Sequence, residues 1–139
     1  MITCTRKVQF DAAHRVMNHE SKCKMLHGHR YVVEATFAAD GLDELGRVID
    51  FGVIKERLTN WIDNNWDHNT ILFQEDRALG DAITQQLSQK IFYLPTNPTA
   101  ENMAQYLLKT VCTELFPEPN IKCIRIRLYE TPNCYADAV

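Results

Sequence analysis

Three histidines in the first 30 residues are spaced for metal binding. His27 and His29 flank Gly28, and residues two apart on a β-strand point to the same side. His14 shares the alternation of the apolar stretch that precedes it, so antiparallel pairing of the two strands would bring all three imidazoles to one end of one apolar face. Three histidines with an open fourth position are typical of a catalytic zinc site. The spacing therefore predicts a zinc centre, although unrelated histidines at strand ends would give the same pattern.

Cys23 lies four positions before His27, between Lys22 and Lys24. Two ammonium groups and a nearby metal favour the thiolate, which is the reactive form of cysteine. The residue could therefore act as a base or a nucleophile, or serve as a fourth metal ligand. A free cysteine is more often a small buried hydrophobe, but the flanking lysines argue against burial here.

Further acid–base groups lie later in the chain. Asp67 and His68 are adjacent, and a carboxylate can orient an imidazole and raise its basicity. Glu130 continues the apolar alternation of residues 124–128, so it extends an apolar face on which a carboxylate needs a partner. A ligand ring with adjacent N–H donors, such as a 2-amino-4-oxo-pyrimidine, would supply that partner. Alternatively, the strand ends at Tyr129 and Glu130 faces solvent.

The apolar pattern indicates which elements position these groups. Alternation predicts four strands, at residues 4–14, 27–39, 121–129 and 134–138. One helix follows the N-cap Asp50 and a second follows Thr99, while a short helix within residues 75–91 is indicated with an interruption at Gly80. The order of elements predicts a single α+β domain over residues 1–139, with a four-stranded antiparallel sheet and two helices on one face.

The composition narrows the class of protein. The 139 residues are 45% apolar, which suffices for one core, and the net charge of −3 argues against a nucleic-acid binder held by bulk charge. The first 31 residues nevertheless carry six cationic and two acidic side chains, which suits a small anionic ligand. The sequence has no run of 18 or more apolar residues, which predicts no membrane span, and residues 1–7 show no apolar signal-peptide region. We therefore expect a cytoplasmic protein with reduced cysteines. The two open edges of the predicted sheet favour a homo-oligomer.

Six short motifs occur in order along residues 8 to 136. They are Phe10-Asp11-Ala12-Ala13-His14-Arg15, Cys23-x3-His27-Gly28-His29, Val48-Ile49-Asp50-Phe51, Asp67-His68-Asn69, Pro98-Thr99-Ala100-Glu101-Asn102 and Tyr129-Glu130-Thr131. Each motif is modest alone, but the set resembles the 6-pyruvoyl-tetrahydropterin synthase / 6-carboxy-tetrahydropterin synthase family. The resemblance implies a tunnelling fold (T-fold), in which the sheets of neighbouring subunits join into a trimeric barrel and two trimers stack into a hexamer.

The resemblance also implies a role for each group. The zinc ligands would be three histidines: His14, His27 and His29. Cys23 would be the catalytic thiolate. Asp67 and His68 would form a second acid–base relay that reaches a site shared with a neighbouring subunit.

The implied substrate is 7,8-dihydroneopterin triphosphate. Its pyrimidine-like ring would be anchored by Glu130, its diol side chain would meet zinc, and its triphosphate would meet the basic cluster. Three further residues would lie near the pterin pocket: Thr99, Glu101 and Thr131. The sequence leaves open whether magnesium assists with the triphosphate.

The product is indicated by the three residues between Cys23 and His27. This spacing is similar to that of the bacterial 6-carboxy-tetrahydropterin synthases of the queuosine pathway, which release triphosphate and acetaldehyde. Five intervening residues would resemble the pyruvoyl-forming enzymes of tetrahydrobiopterin synthesis. The alternatives are therefore a 6-pyruvoyl-tetrahydropterin synthase, which eliminates triphosphate only, and a non-catalytic zinc- or pterin-binding module on the same fold.

Overall fold

The computed structural model describes residues 1–139 and contains one six-stranded mixed sheet. The strands are β1 (Thr3–His14), β2 (His27–Ala39), β3 (Asn69–Phe73), β4 (Ile91–Leu94), β5 (Ile121–Thr131) and β6 (Cys134–Ala138). Their order across the sheet is β4-β3-β1-β2-β5-β6. β1, β2, β5 and β6 pair antiparallel in that order, whereas β3 runs parallel to both β1 and β4. The expected α+β class is confirmed.

Four α-helices connect or flank the strands. They are α1 (Phe51–Asn65), α2 (Arg77–Leu87), α3 (Ala100–Tyr106) and α4 (Cys112–Leu115). A π-helical segment, Leu107–Val111, joins α3 to α4, so the predicted second long helix is continuous. Both predicted N-caps are confirmed: the Asp50 carboxylate accepts from the Gly52 N–H at 2.7 Å, and the Thr99 hydroxyl accepts from the Asn102 N–H at 3.1 Å.

The core lies between one face of the sheet and the helices. A cluster of 25 buried residues fills it, and alternate residues of β1, β2 and β5 contribute to it. α1 packs on β1, and α3 packs on β5 and β6. This alternation buries one face of the sheet in the core. Side chains at the end of that face therefore have largely apolar neighbours.

The predicted four-stranded sheet was too small, because β3 and β4 were missed. They have five and four residues, and Thr70, Ile71 and Leu72 are all buried. Short strands without alternation resemble buried loops or helix ends in sequence, and parallel pairing has no hairpin turn to reveal it. β3 and β4 extend the sheet beyond β1, on the side away from β2.

The predicted interruption at Gly80 was also wrong. α2 runs through this residue, and a Cβ atom built there would lie 1.8 Å from the Tyr93 hydroxyl oxygen. Gly80 therefore lets α2 approach β4 closely, and it does not end the helix.

Candidate metal centre and active site

Three histidine side chains converge at the end of the β1–β2 pair. Antiparallel register sets His14 opposite His27 and Ala12 opposite His29, which turns all three rings to the core face. Their candidate ligand nitrogens all lie within 4.8 Å of one another. Gly28 sits between two of these strand positions, where a Cβ atom would lie 3.3 Å from the Ala12 carbonyl oxygen. The strands therefore approach closely at the point where the histidines meet.

Backbone carbonyls fix the orientation of two of these rings. His14 Nδ1 donates to the Pro98 carbonyl oxygen at 2.7 Å, and His27 Nδ1 donates to the Met25 carbonyl oxygen at 2.6 Å. Because a carbonyl oxygen only accepts, each neutral ring carries its proton on Nδ1 and a lone pair on Nε2. The two Nε2 atoms lie 3.1 Å apart. Two facing lone pairs cannot share a hydrogen bond, but a cation between them would satisfy both.

The third ring leaves a buried nitrogen without a partner. His29 Nε2 makes no hydrogen bond, although Glu130 Oε1 lies 3.4 Å away. Burial lowers the pKa of His14 to about 4, and burial also lowers the pKa of His29 against the opposing effect of Glu130. Both shifts favour neutral imidazole, the form that binds metal. The donor set of three neutral imidazoles fits a divalent transition metal.

Cys23 lies outside this histidine cluster. It sits in a 3-10 turn, Lys22–Lys24, half-buried, and its carbonyl oxygen accepts from the Val16 N–H at 2.9 Å. Its thiol is not among the side chains that converge with His14. The structure therefore gives no support to the alternative in which Cys23 is a fourth metal ligand.

Asp67 and His68 form a hydrogen-bonded pair that the backbone of Asp11 holds in place. Asp67 Oδ2 lies 2.9 Å from His68 Nδ1. The Asp11 N–H donates to Asp67 Oδ1 at 3.0 Å, and the His68 N–H donates to the Asp11 carbonyl at 2.6 Å. The bond from Asp67 raises the pKa of His68. Burial pushes the pKa of Asp67 upward, but its bonds to Asp11 and His68 outweigh that effect and lower the pKa.

This pair does not face the histidine cluster. His68 lines an open groove with Asp11, Arg30 and Gln89. Asp11 and Arg30 alternate with the core-facing residues of their strands, so the groove lies on the opposite face of the sheet. The Arg30–Asp11 ion pair, 3.0 Å long, was missed by sequence reasoning, because only the strand register brings the two residues side by side.

The residues expected near the pterin ring differ in their surroundings. β5 extends to Thr131 and the Glu130 side chain is only 26% exposed, so the alternative in which Glu130 turns into solvent was wrong. The Thr131 hydroxyl accepts from the Asn133 N–H at 3.2 Å. The Thr99 hydroxyl is occupied in capping α3, whereas Glu101 is exposed on that helix.

Two polar contacts that the sequence did not reveal brace the segment after β1. The Arg15 guanidinium binds the buried Asp76 carboxylate through two hydrogen bonds, of 2.5 and 2.6 Å. The Asn97 side chain accepts from the Met17 N–H at 2.9 Å and donates to the Met17 carbonyl at 3.2 Å. Because Asn97 precedes Pro98, whose carbonyl binds His14, these contacts brace the chain beside one of the candidate metal ligands.

Comparison with known proteins decides the family. A family model described as 6-pyruvoyl tetrahydropterin synthase matches residues 3–139. The chain belongs to this family. Its expected class, a pterin synthase that acts as a lyase, is thereby confirmed. None of the helices of this pterin synthase is long and apolar enough to cross a membrane.

Individual relatives agree over almost the whole length of this pterin synthase. It is 49% identical over 137 residues to the 6-carboxy-5,6,7,8-tetrahydropterin synthase of Rickettsia conorii, covering 99% of both chains. It is 29% identical to the enzyme of the same name from Haemophilus influenzae, covering 99% of this chain and 98% of that one.

Solved structures share the fold. The 6-pyruvoyl tetrahydropterin synthase of Caenorhabditis elegans superposes with a TM-score of 0.71 at 21% identity, covering 99% of this chain and 94% of the other. An uncharacterised protein of Wolinella succinogenes reaches 0.76, also at 21% identity, covering 99% and 97%. The expected tunnelling fold is confirmed for the single chain.

Proposed function

We propose that this pterin synthase converts 7,8-dihydroneopterin triphosphate and one water into 6-carboxy-5,6,7,8-tetrahydropterin, triphosphate and acetaldehyde, as in the queuosine pathway. The observation that carries the proposal is the convergence of three imidazoles, two of which face each other through Nε2 at 3.1 Å. Zinc suits this donor set. The 49% identity to a 6-carboxy-tetrahydropterin synthase supports the choice of product.

The proposed chemistry divides between the metal centre and the protein side chains. Zinc, when bound by His14, His27 and His29, supplies a Lewis acid that acidifies the C–H bonds next to the substrate's side-chain oxygens. Cys23 would remove one of these protons. The bond from the Val16 N–H to the Cys23 carbonyl ties the turn that carries Cys23 to the segment that follows His14.

Asp67 and His68 would exchange a second proton. Because Asp67 favours the protonated imidazole, His68 is suited to donate a proton to carbon or oxygen and to recover it afterwards. Glu130 would accept hydrogen bonds from the N–H groups of the pterin ring, which would give this half-buried carboxylate a partner. Three residues would line the rest of the ring pocket: Thr99, Glu101 and Thr131.

We further propose that the complete site needs several subunits. Within one chain, His68 and the histidine cluster lie on opposite faces of the sheet, so the relay would serve a neighbouring site. β4 and β6 are edge strands whose outer backbone groups are available for pairing. Trimeric barrels stacked into a hexamer would use those edges. A cytoplasmic location would keep the Cys23 thiol reduced.

Product analysis tests the function. Zinc-loaded protein is incubated with 7,8-dihydroneopterin triphosphate, and the products are identified by mass spectrometry. We expect the wild type to form 6-carboxy-5,6,7,8-tetrahydropterin and acetaldehyde. Cys23→Ala should lose turnover but still bind zinc. Cys134→Ala is the matched control, because Cys134 is an exposed thiol on β6.

Two results would redirect the assignment. A pyruvoyl product without acetaldehyde would identify a 6-pyruvoyl-tetrahydropterin synthase. Bound zinc without any turnover would leave a binding module on the same fold.

A further inference from the structure

The Tyr31 hydroxyl is a buried polar group without a partner. The side chain is 0% exposed, and its oxygen makes no hydrogen bond in the protein. Leaving a buried donor unpaired costs free energy, so native proteins rarely keep one without a reason. Phenylalanine would fill the same space without that cost. The hydroxyl therefore needs an explanation that packing does not provide.

Tyr31 adjoins the metal centre. Its ring meets the His29 ring edge-to-face at a centroid distance of 5.5 Å and the His14 ring at 5.9 Å. On its other side it stacks on Phe10 at 4.9 Å. The ring is thus wedged between the core and two candidate metal ligands, and the position of its hydroxyl is fixed by those neighbours.

Strand register sets Tyr31 beside Glu130. The pairing of β2 with β5 ends with Val32 opposite Tyr129, and Tyr31 and Glu130 are the next residues on the two strands. Both residues belong to the core face by alternation. Glu130 Oε1 lies 3.4 Å from His29 Nε2, and no hydrogen bond joins the two side chains. A lone donor and an under-used acceptor are therefore cross-strand neighbours.

We infer that the Tyr31 hydroxyl donates to the Glu130 carboxylate in the ligand-bound enzyme and orients it toward a heterocycle with adjacent N–H donors. Tyr31 is then a positioning residue, and the inference rests on the proposed function. A metal held by His29 would free Glu130 from its contact with that ring. A carboxylate offers about four lone-pair sites, enough for two ring N–H groups and one phenol. A tyrosine phenol has an ordinary pKa of about 10, so it carries its proton at neutral pH and can donate.

A double-mutant cycle tests this inference. Wild type, Tyr31→Phe, Glu130→Gln and the double variant are loaded with zinc, and neopterin binding is measured by fluorescence titration. We expect Tyr31→Phe to weaken neopterin binding about tenfold in the wild-type background and to have almost no effect in the Glu130→Gln background. The KM for the triphosphate substrate should rise with a smaller change in kcat.

Tyr106→Phe is the matched control. Tyr106 is connected to Tyr31 through the packed rings of Phe10 and Trp66. Its ring lies 6.3 Å from that of Trp66, and it is outside the proposed site. We expect both Tyr→Phe variants to bind zinc in wild-type amount. Tyr31→Phe should be at least as resistant to thermal unfolding as the wild type, because it removes an unpaired buried hydroxyl.

The outcomes separate this inference from the proposed function. Wild-type neopterin affinity in Tyr31→Phe, or an equal loss in both backgrounds, overturns the role of Tyr31 alone. Failure of the wild type and Tyr106→Phe to bind neopterin or turn over substrate overturns the proposed function and the inference with it.

Discussion

The Nε2 atoms of His14 and His27 lie 3.1 Å apart, and neither can donate to the other while the rings are neutral. The Nδ1 proton of each ring is already given to a backbone carbonyl, of Pro98 and of Met25. Such pairs of facing acceptors are unfavourable in a buried place unless a cation joins them. The fold therefore orients two imidazoles as candidate metal ligands.

Zinc should stabilise the folded protein through this cluster. A ligand that binds only the native state adds about 4 kcal/mol at a free concentration 1,000 times its Kd, so the Tm should rise on zinc addition and fall with a chelator. His27→Ala should abolish both the Tm shift and stoichiometric zinc. His19→Ala is the control, because His19 lies in a loop outside the cluster. A full complement of zinc in His27→Ala, measured by elemental analysis, would contradict the site.

The His68 imidazole should titrate above the usual range of histidine. Its pKa is raised by the bond to Asp67, so the ion pair exists below that raised pKa and is lost as the pH rises through it. Asp67→Asn should lower the pKa toward the ordinary value of about 6.5. The measurement is an NMR titration of the His68 ring proton, with the exposed Asp63→Asn on α1 as control. An unchanged titration in Asp67→Asn would show that Asp67 does not set the charge of His68.

Loss of the Asp76 carboxylate should destabilise the fold. Asp76→Ala leaves the half-buried Arg15 guanidinium without its two hydrogen bonds, and we expect a loss of about 2 kcal/mol, since Arg15 retains some solvent contact. Urea unfolding measures the loss. Asp81→Ala, an exposed position on the same helix, should change stability by less than about 0.5 kcal/mol. Equal effects of the two substitutions would assign the loss to α2 propensity and not to the ion pair.

Gly80→Ala should destabilise the protein, although alanine has a higher helix propensity than glycine. The added Cβ would overlap the Tyr93 hydroxyl, and overpacking of this kind costs about 1–3 kcal/mol. Gly41→Ala provides the control, because nothing lies within 4 Å of a Cβ atom there. Thermal unfolding of both variants makes the comparison. A stabilised Gly80→Ala would show that α2 is free to move away from β4.

Alternation made much of this structure predictable. β1, β2 and β5 each bury one face, so their apolar residues recur at every second position, and the same parity brought His14, His27 and His29 together. The helix caps at Asp50 and Thr99 follow from local chemistry. Strand alternation and helix caps can both be predicted because they depend on residues that are close together in the sequence.

The features that the sequence did not reveal depend on contacts between segments that are far apart in the chain. Asp11 and Arg30 pair across two strands, and the bond from His14 to the Pro98 carbonyl spans 84 residues. β3 pairs in parallel with β1, from which β2 and α1 separate it in the chain, and with β4, from which α2 separates it. No local pattern encodes such partners, because their positions are set only when the whole sheet has assembled.

The Pro98 contact has a consequence for the order in which the protein matures. His14 and His27 face each other across a single hairpin, so the nascent chain can gather these imidazoles soon after β2 is made. The carbonyl that turns the His14 ring arrives only when the segment before α3 docks, long after the hairpin in synthesis. The candidate metal site is therefore complete only after that segment has docked, although all three of its imidazoles belong to the hairpin.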